Sequence, residues 1–184
     1  MHGPTAEENL SEKYTAILER RPMTVALNAF EVFEIAEQIE RNGAKFYRKA
    51  AELFNEPDIC NMFLELADWE TRHKQVFQDM KKQLVKLNKK PRTCELEKKQ
   101  LDPKLMACLA VFGTVSEPLH RLKSIEKIAD VLKTAIVKEQ DSITFYEGLK
   151  DFVPTSDDKN KVDDIIEEEM RHIKILNQAL KQRE

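Results

Sequence analysis

Apolar residues recur along this chain mostly at intervals of three, four or seven, the period of helices that bury one face. From Thr24 to about Phe54 the stripe is Leu27, Phe30, Ile35, Ile39, Phe46, Ala50 and Phe54, and Glu56-Pro57 closes it. Pro57-Asp58 opens a second helix, carried by Ile59, Phe63, Leu66, Ala67, Phe77, Met80, Leu84 and Leu87 as far as Asn88-Lys89-Lys90-Pro91. A third runs from about Leu119 through Leu122, Ile125, Ile128, Leu132, Ile136, Ile143 and Tyr146 until Val153-Pro154 stops it. Ser156-Asp157-Asp158 caps a fourth, whose stripe is Val162, Ile165, Ile166, Ile173, Leu176 and Leu180. Between the second and third lies Arg92 to Pro118, a crossover in which Asp102-Pro103 leads into a short buried helix, Leu105 to Val115. The pattern predicts an all-α protein: two helical hairpins joined by one long crossover into a four-helix bundle over residues 25–184. Residues 1–24 form a polar N-terminal extension with at most one short helix, Glu8 to Glu19.

Polar residues break the stripes at matching places. Glu40 precedes Glu70-x-x-His73 by 30 positions, and Glu139 precedes Glu169-x-x-His172 by 30; the offsets 139 − 40, 169 − 70 and 172 − 73 are each 99. The same shift superposes Ala36 on Ala135, Phe46 on Phe145, Tyr47 on Tyr146, Asn61 on Asn160 and Arg72 on Arg171, the mark of a duplicated helical hairpin. Residues three apart share a helix face, so each Glu-x-x-His offers two ligands side by side. Glu40 and Glu139 sit inside apolar stripes, so all six groups are expected to point into the bundle. Four buried anions without counter-charge would cost several kcal/mol each. Two divalent cations cancel four carboxylates and leave both imidazoles neutral.

Oxygen-rich ligation with one nitrogen per ion suits iron first and manganese second. Gly43 and Ala44 beside Glu40 are expected to leave space for a metal and its oxygen ligand. Tyr47 and Tyr146, two turns after Glu40 and Glu139, either hydrogen-bond the ligand carboxylates or are core tyrosines satisfied elsewhere. Trp69 is expected to serve packing. Glu37 is a possible extra ligand, though its place in the series Glu31, Glu34, Glu37 favours a solvated role. His2 and His120 lack comparable context.

Composition narrows the choices further. Charged residues are 34% of the chain but the net charge is only −3, so nothing here tracks a nucleic-acid backbone. The segment Leu105 to Val115 falls far short of the ~20 apolar residues that cross a bilayer, so no membrane partner is expected. Met1 to Thr5 lacks the basic and apolar regions of a secretory signal, and Cys60, Cys94 and Cys108 form no C-x-x-C; a cytoplasmic protein with reduced thiols is expected.

With these residues in place, the chain resembles the ferritin-like di-iron superfamily, and within it the rubrerythrin-type domain, over roughly Ala26 to Lys181. Ile39-Glu40-Arg41-Asn42-Gly43-Ala44-Lys45-Phe46-Tyr47 is similar to helix one of such proteins, and Leu66-Ala67-Asp68-Trp69-Glu70-Thr71-Arg72-His73 to their helix two. The resemblance implies that Glu70 and Glu169 bridge two ions, with Glu40, Glu139, His73 and His172 as terminal ligands. It also implies a redox role: hydrogen peroxide or dioxygen is reduced, and a small donor protein such as a rubredoxin returns the electrons, because the chain lacks the four cysteines of a rubredoxin domain. A homodimer is the assembly such bundles favour. Where the family tends to carry a carboxylate one turn after the helix-three Glu, this sequence has Ser142, and Glu37 is the candidate substitute. A ferroxidase feeding an iron store, and a metal-stabilised interaction bundle without catalysis, are the competing readings.

Overall fold

The computed structural model describes residues 28–86 and 127–183. The N-terminal extension, the crossover with its short helix, and the part of the third helix expected before Lys127 lie outside them. Four α-helices occupy the described residues: α1 (Ala29–Leu53), α2 (Pro57–Lys86), α3 (Ile128–Leu149) and α4 (Ser156–Lys181), with a 3-10 turn at Lys150–Phe152. Among the described residues there is no strand, and no helix is long and apolar enough to cross a membrane.

Local chemistry sets each boundary. Asn28 caps α1 by accepting from Phe30 N and Glu31 N, while Glu31 accepts from Asn28 N, a reciprocal box that satisfies otherwise orphaned donors. Pro57 opens α2, at a position where its missing N–H costs nothing. The cap of α4 is Thr155, one residue ahead of the expected Ser156, because Thr155 is extended and stands three before Asp158, whose N–H it accepts. Lys127, which caps α3, is extended and makes no side-chain cap, so α3 begins at Ile128.

The pairings fix the directions. Phe33 meets Phe77 and Phe54 meets Phe63, so α1 and α2 are antiparallel. Tyr47 bonds Glu139 and Tyr146 bonds Glu40, which makes α1 and α3 antiparallel; His73 faces Glu169 and His172 faces Glu70, which does the same for α2 and α4. Consequently α2 and α3 run parallel, the one-crossover arrangement of a ferritin-like bundle. One apolar core, with Phe33, Phe63, Phe77, Leu132 and Leu176 almost wholly buried, surrounds a polar centre contributed by all four helices.

Candidate metal centre

All six sequence-predicted residues converge at that centre, and none is more than 4% exposed. They form two interlocked quartets: Glu40, Glu70, His73 and Glu169, and Glu70, Glu139, Glu169 and His172, each with one donor atom per residue lying within 4.8 Å of the others. Each quartet takes three side chains from one hairpin and one from the other. Glu70 and Glu169 belong to both, the placement expected of bridging carboxylates.

The contacts show what holds the cluster together. His73 Nδ1 lies 3.0 Å from Glu169 Oε1 and 3.5 Å from Glu40 Oε2, and its Nε2 lies 2.7 Å from Glu168 Oε2. His172 Nδ1 lies 2.7 Å from Glu169 Oε2 and 3.6 Å from Glu139 Oε1. The close His172–Glu169 approach lacks hydrogen-bond geometry, so Glu40 Oε2, Glu169 Oε2 and both His172 nitrogens are buried without a hydrogen bond. Buried polar atoms are rarely left so. Unsatisfied carboxylate oxygens and an imidazole nitrogen crowded into one buried cluster fit a pair of cations, and the acid-rich donor set matches divalent metals that favour oxygen.

Protonation follows the same logic. Burial opposes charge on His73, but Glu40 and Glu169 outweigh it and raise its pKa from 6.5 to about 11. Burial opposes charge on His172 too, and Glu139 and Glu169 nevertheless raise it to about 9. Burial, reinforced by Glu169, pushes Glu139 up to about 8 and raises Glu70 well above the ordinary carboxylate range. Glu169, between both imidazoles, is lowered: burial opposes its charge, but the adjacent His172 and His73 outweigh it. Without metal, protons take the place of the cations.

Tyr47 donates to Glu139 Oε1 and Tyr146 to Glu40 Oε1, so each hairpin's tyrosine holds the other hairpin's carboxylate. Burial, then the facing carboxylates, raise both hydroxyls well above 10, which keeps them neutral donors. Of the two sequence expectations for these tyrosines, the carboxylate-bonding one is what the structure shows.

Other expectations need correction. Glu37 is neither solvated nor in the cluster: it is buried, with Oε1 2.8 Å from Lys81 Nζ, and α1 turns it toward α2 instead of the centre. Gly43 does not open space for a bound oxygen ligand, because a Cβ there would lie 2.8 Å from Glu70 Oε2; the missing side chain makes room for Glu70 itself. Trp69 packs, but on the site, its ring 4.8 Å from that of His172, with Arg72 and Arg171 over it at 5.2 and 5.9 Å. Ser142 is buried one turn after Glu139. Glu168 was missed by sequence reasoning: it sits in the run Glu167-Glu168-Glu169, where nothing local distinguishes it. A groove of about 700 Å³ between α2 and α4, lined by Trp69, Arg72, His73, Glu168 and Arg171 among others, leads from solvent to His73.

Fold and site together define a ferritin-like four-helix bundle with a candidate di-metal centre. The rubrerythrin family model matches residues 31–180, and the chain belongs to that family. A solved structure from Thermotoga maritima, of a protein assigned to the ferritin-like diiron-carboxylate proteins, is similar to it at 28% identity and a TM-score of 0.63, covering 86% of this chain and 97% of that one. Comparison with curated proteins finds no match.

Proposed function

We propose that the chain is a cytoplasmic di-iron carboxylate oxidoreductase that reduces hydrogen peroxide or dioxygen, acts as a homodimer and takes electrons from a separate small redox protein such as a rubredoxin. The observation that carries this reading is the pair of interlocked, buried quartets sharing Glu70 and Glu169. Iron is the metal proposed, with manganese able to use the same donors. When bound, two ferrous ions supply the two electrons with which hydrogen peroxide and two protons become two waters.

The protein's own groups do the remaining work. Glu40 and His73 define one position and Glu139 and His172 the other, each completed by the two shared carboxylates. Tyr47 and Tyr146 keep their protons and fix Glu139 and Glu40 across the hairpin boundary. The groove admits a small oxidant, and Glu168, about a third exposed within it, connects solvent to His73 Nε2 and offers a station for incoming protons. The chain's three cysteines cannot build a four-thiolate iron site, which supports an external donor.

Anaerobic loading with Fe(II) to two ions per chain, followed by rapid mixing, tests the proposal. Ferric absorption is expected to develop faster with peroxide than with air-saturated buffer, and reduced rubredoxin should sustain peroxide consumption. Loaded protein inert to both oxidants would end the redox reading. Retention of many more than two irons per chain in a large assembly would replace it with iron storage.

A further inference from the structure

Trp69 and Glu168 occupy equivalent positions of the repeat, since 168 − 69 is also 99. Each lies against the histidine of the opposite hairpin, and there the equivalence stops. Glu168 Oε2 is 2.7 Å from His73 Nε2, whereas Trp69 sets its ring against that of His172 at a tilt of 55°, and His172 Nε2 is buried without a hydrogen bond. We infer that the two metal positions are inequivalent and that Glu168 is the positioning residue that makes the His73 position the tighter one. The inference rests on the two-metal reading of the cluster.

A neutral imidazole carries one proton and can present only the other nitrogen to a cation. At His73, Glu168 accepts the Nε2 proton from the groove side, leaving the Nδ1 lone pair facing Glu40 and Glu169 and fixing the ring's plane. A carboxylate behind a ligating imidazole also strengthens it as a donor. Arg171 stands on the outer side of this carboxylate, its guanidinium 3.9 Å from Glu168 Oε1. At His172 the same tautomer would place an N–H where no acceptor stands, so presenting Nδ1 to a cation is opposed by a buried, unsatisfied donor. The quartets otherwise match, three carboxylates and one imidazole each with two carboxylates in common, so the difference falls on the histidines.

The test is titration of the metal-free full chain with Zn²⁺ against a competing chelator, followed by NMR of ¹⁵N-labelled histidine. Two ions are expected to bind in steps at least about tenfold apart, with the first shifting His73 Nδ1 ahead of His172. Glu168→Ala should weaken the first step by about 10–100-fold and bring the two together. Glu168→Gln, whose carbonyl still accepts from Nε2, should recover most of that loss, a rescue that a role confined to surface charge would not give. Equal affinities in the unmodified protein, His172 shifting first, or Glu168→Ala weakening both steps alike would overturn the inference while leaving two-ion binding intact. Binding of fewer than two ions would overturn the two-metal reading and this inference with it. Helicity of the metal-free variant checks its folding; should Glu168→Ala not fold, the loading order of the unmodified protein and the affinity of Glu168→Gln decide.

Discussion

The two hairpins carry the same ligands but are built differently. In α1, twelve of 25 residues are buried and a reciprocal Asn28–Glu31 box closes the start; in α3, seven of 22 are buried, Lys127 provides no side-chain cap, and Val137 is 54% exposed. The two halves therefore agree at the groups a metal pair would constrain and differ in the packing around them. Ligand positions tolerate almost no displacement, whereas a core accepts many apolar combinations of similar volume.

The sharpest probe of that difference is the repeat pair Phe77 and Leu176, both wholly buried. Phe77→Ala is expected to cost about 3–5 kcal/mol and Leu176→Ala less, toward the lower part of the roughly 2–5 kcal/mol range for such truncations. Denaturant unfolding of both metal-free variants checks the order, and a larger loss at Leu176 would reverse the contrast between the hairpins.

A second, smaller effect comes from pH. In the metal-free protein His73, His172, Glu139 and Glu70 all hold protons more tightly folded than unfolded, so their contribution is full at low pH and disappears as pH rises. Glu139 loses its share between 4.5 and about 8, His172 between 6.5 and about 9, and His73 between 6.5 and about 11. Glu169, whose pKa is lowered, acts oppositely and loses its contribution on acidification below 4.5. Thermal scans with chelator should show Tm falling steadily from pH 6.5 to 9, and His73→Gln should flatten whatever decline persists above 9. A level profile across that interval would contradict these assignments. Metal loading, which requires the deprotonated ligands, should release protons and remove the decline.

Caps give the smallest effect. Thr155→Ala should cost about 1 kcal/mol, and Lys127→Ser, which supplies the cap α3 lacks, should gain roughly half as much. If Lys127→Ser proves neutral, the unequal ends of the helices are not part of what separates the hairpins.

Much of this was legible in the sequence, and the exceptions have a common cause. The helices and six inward-facing groups follow from spacings within one helix, and the 99-residue shift linked the halves. What escaped depends on which helix lies opposite: the Lys81 partner of Glu37, the occupation of the Gly43 notch by Glu70, and the contact of Glu168 with His73. One signal was present for the last. Applying the repeat to every position would have set Glu168 against Trp69 and exposed the mismatch beside otherwise conserved geometry of the two ligand sets.

Because every quartet borrows a carboxylate from the far side, and each tyrosine reaches across as well, neither hairpin carries a complete quartet by itself. Cut into separate peptides within the crossover, the protein is expected to rebuild a full quartet only when two hairpins pair, so metal uptake would report docking. Two identical hairpins meeting about a twofold axis would in principle recreate the same pocket, a minimal self-associating ancestor that could be made and tried.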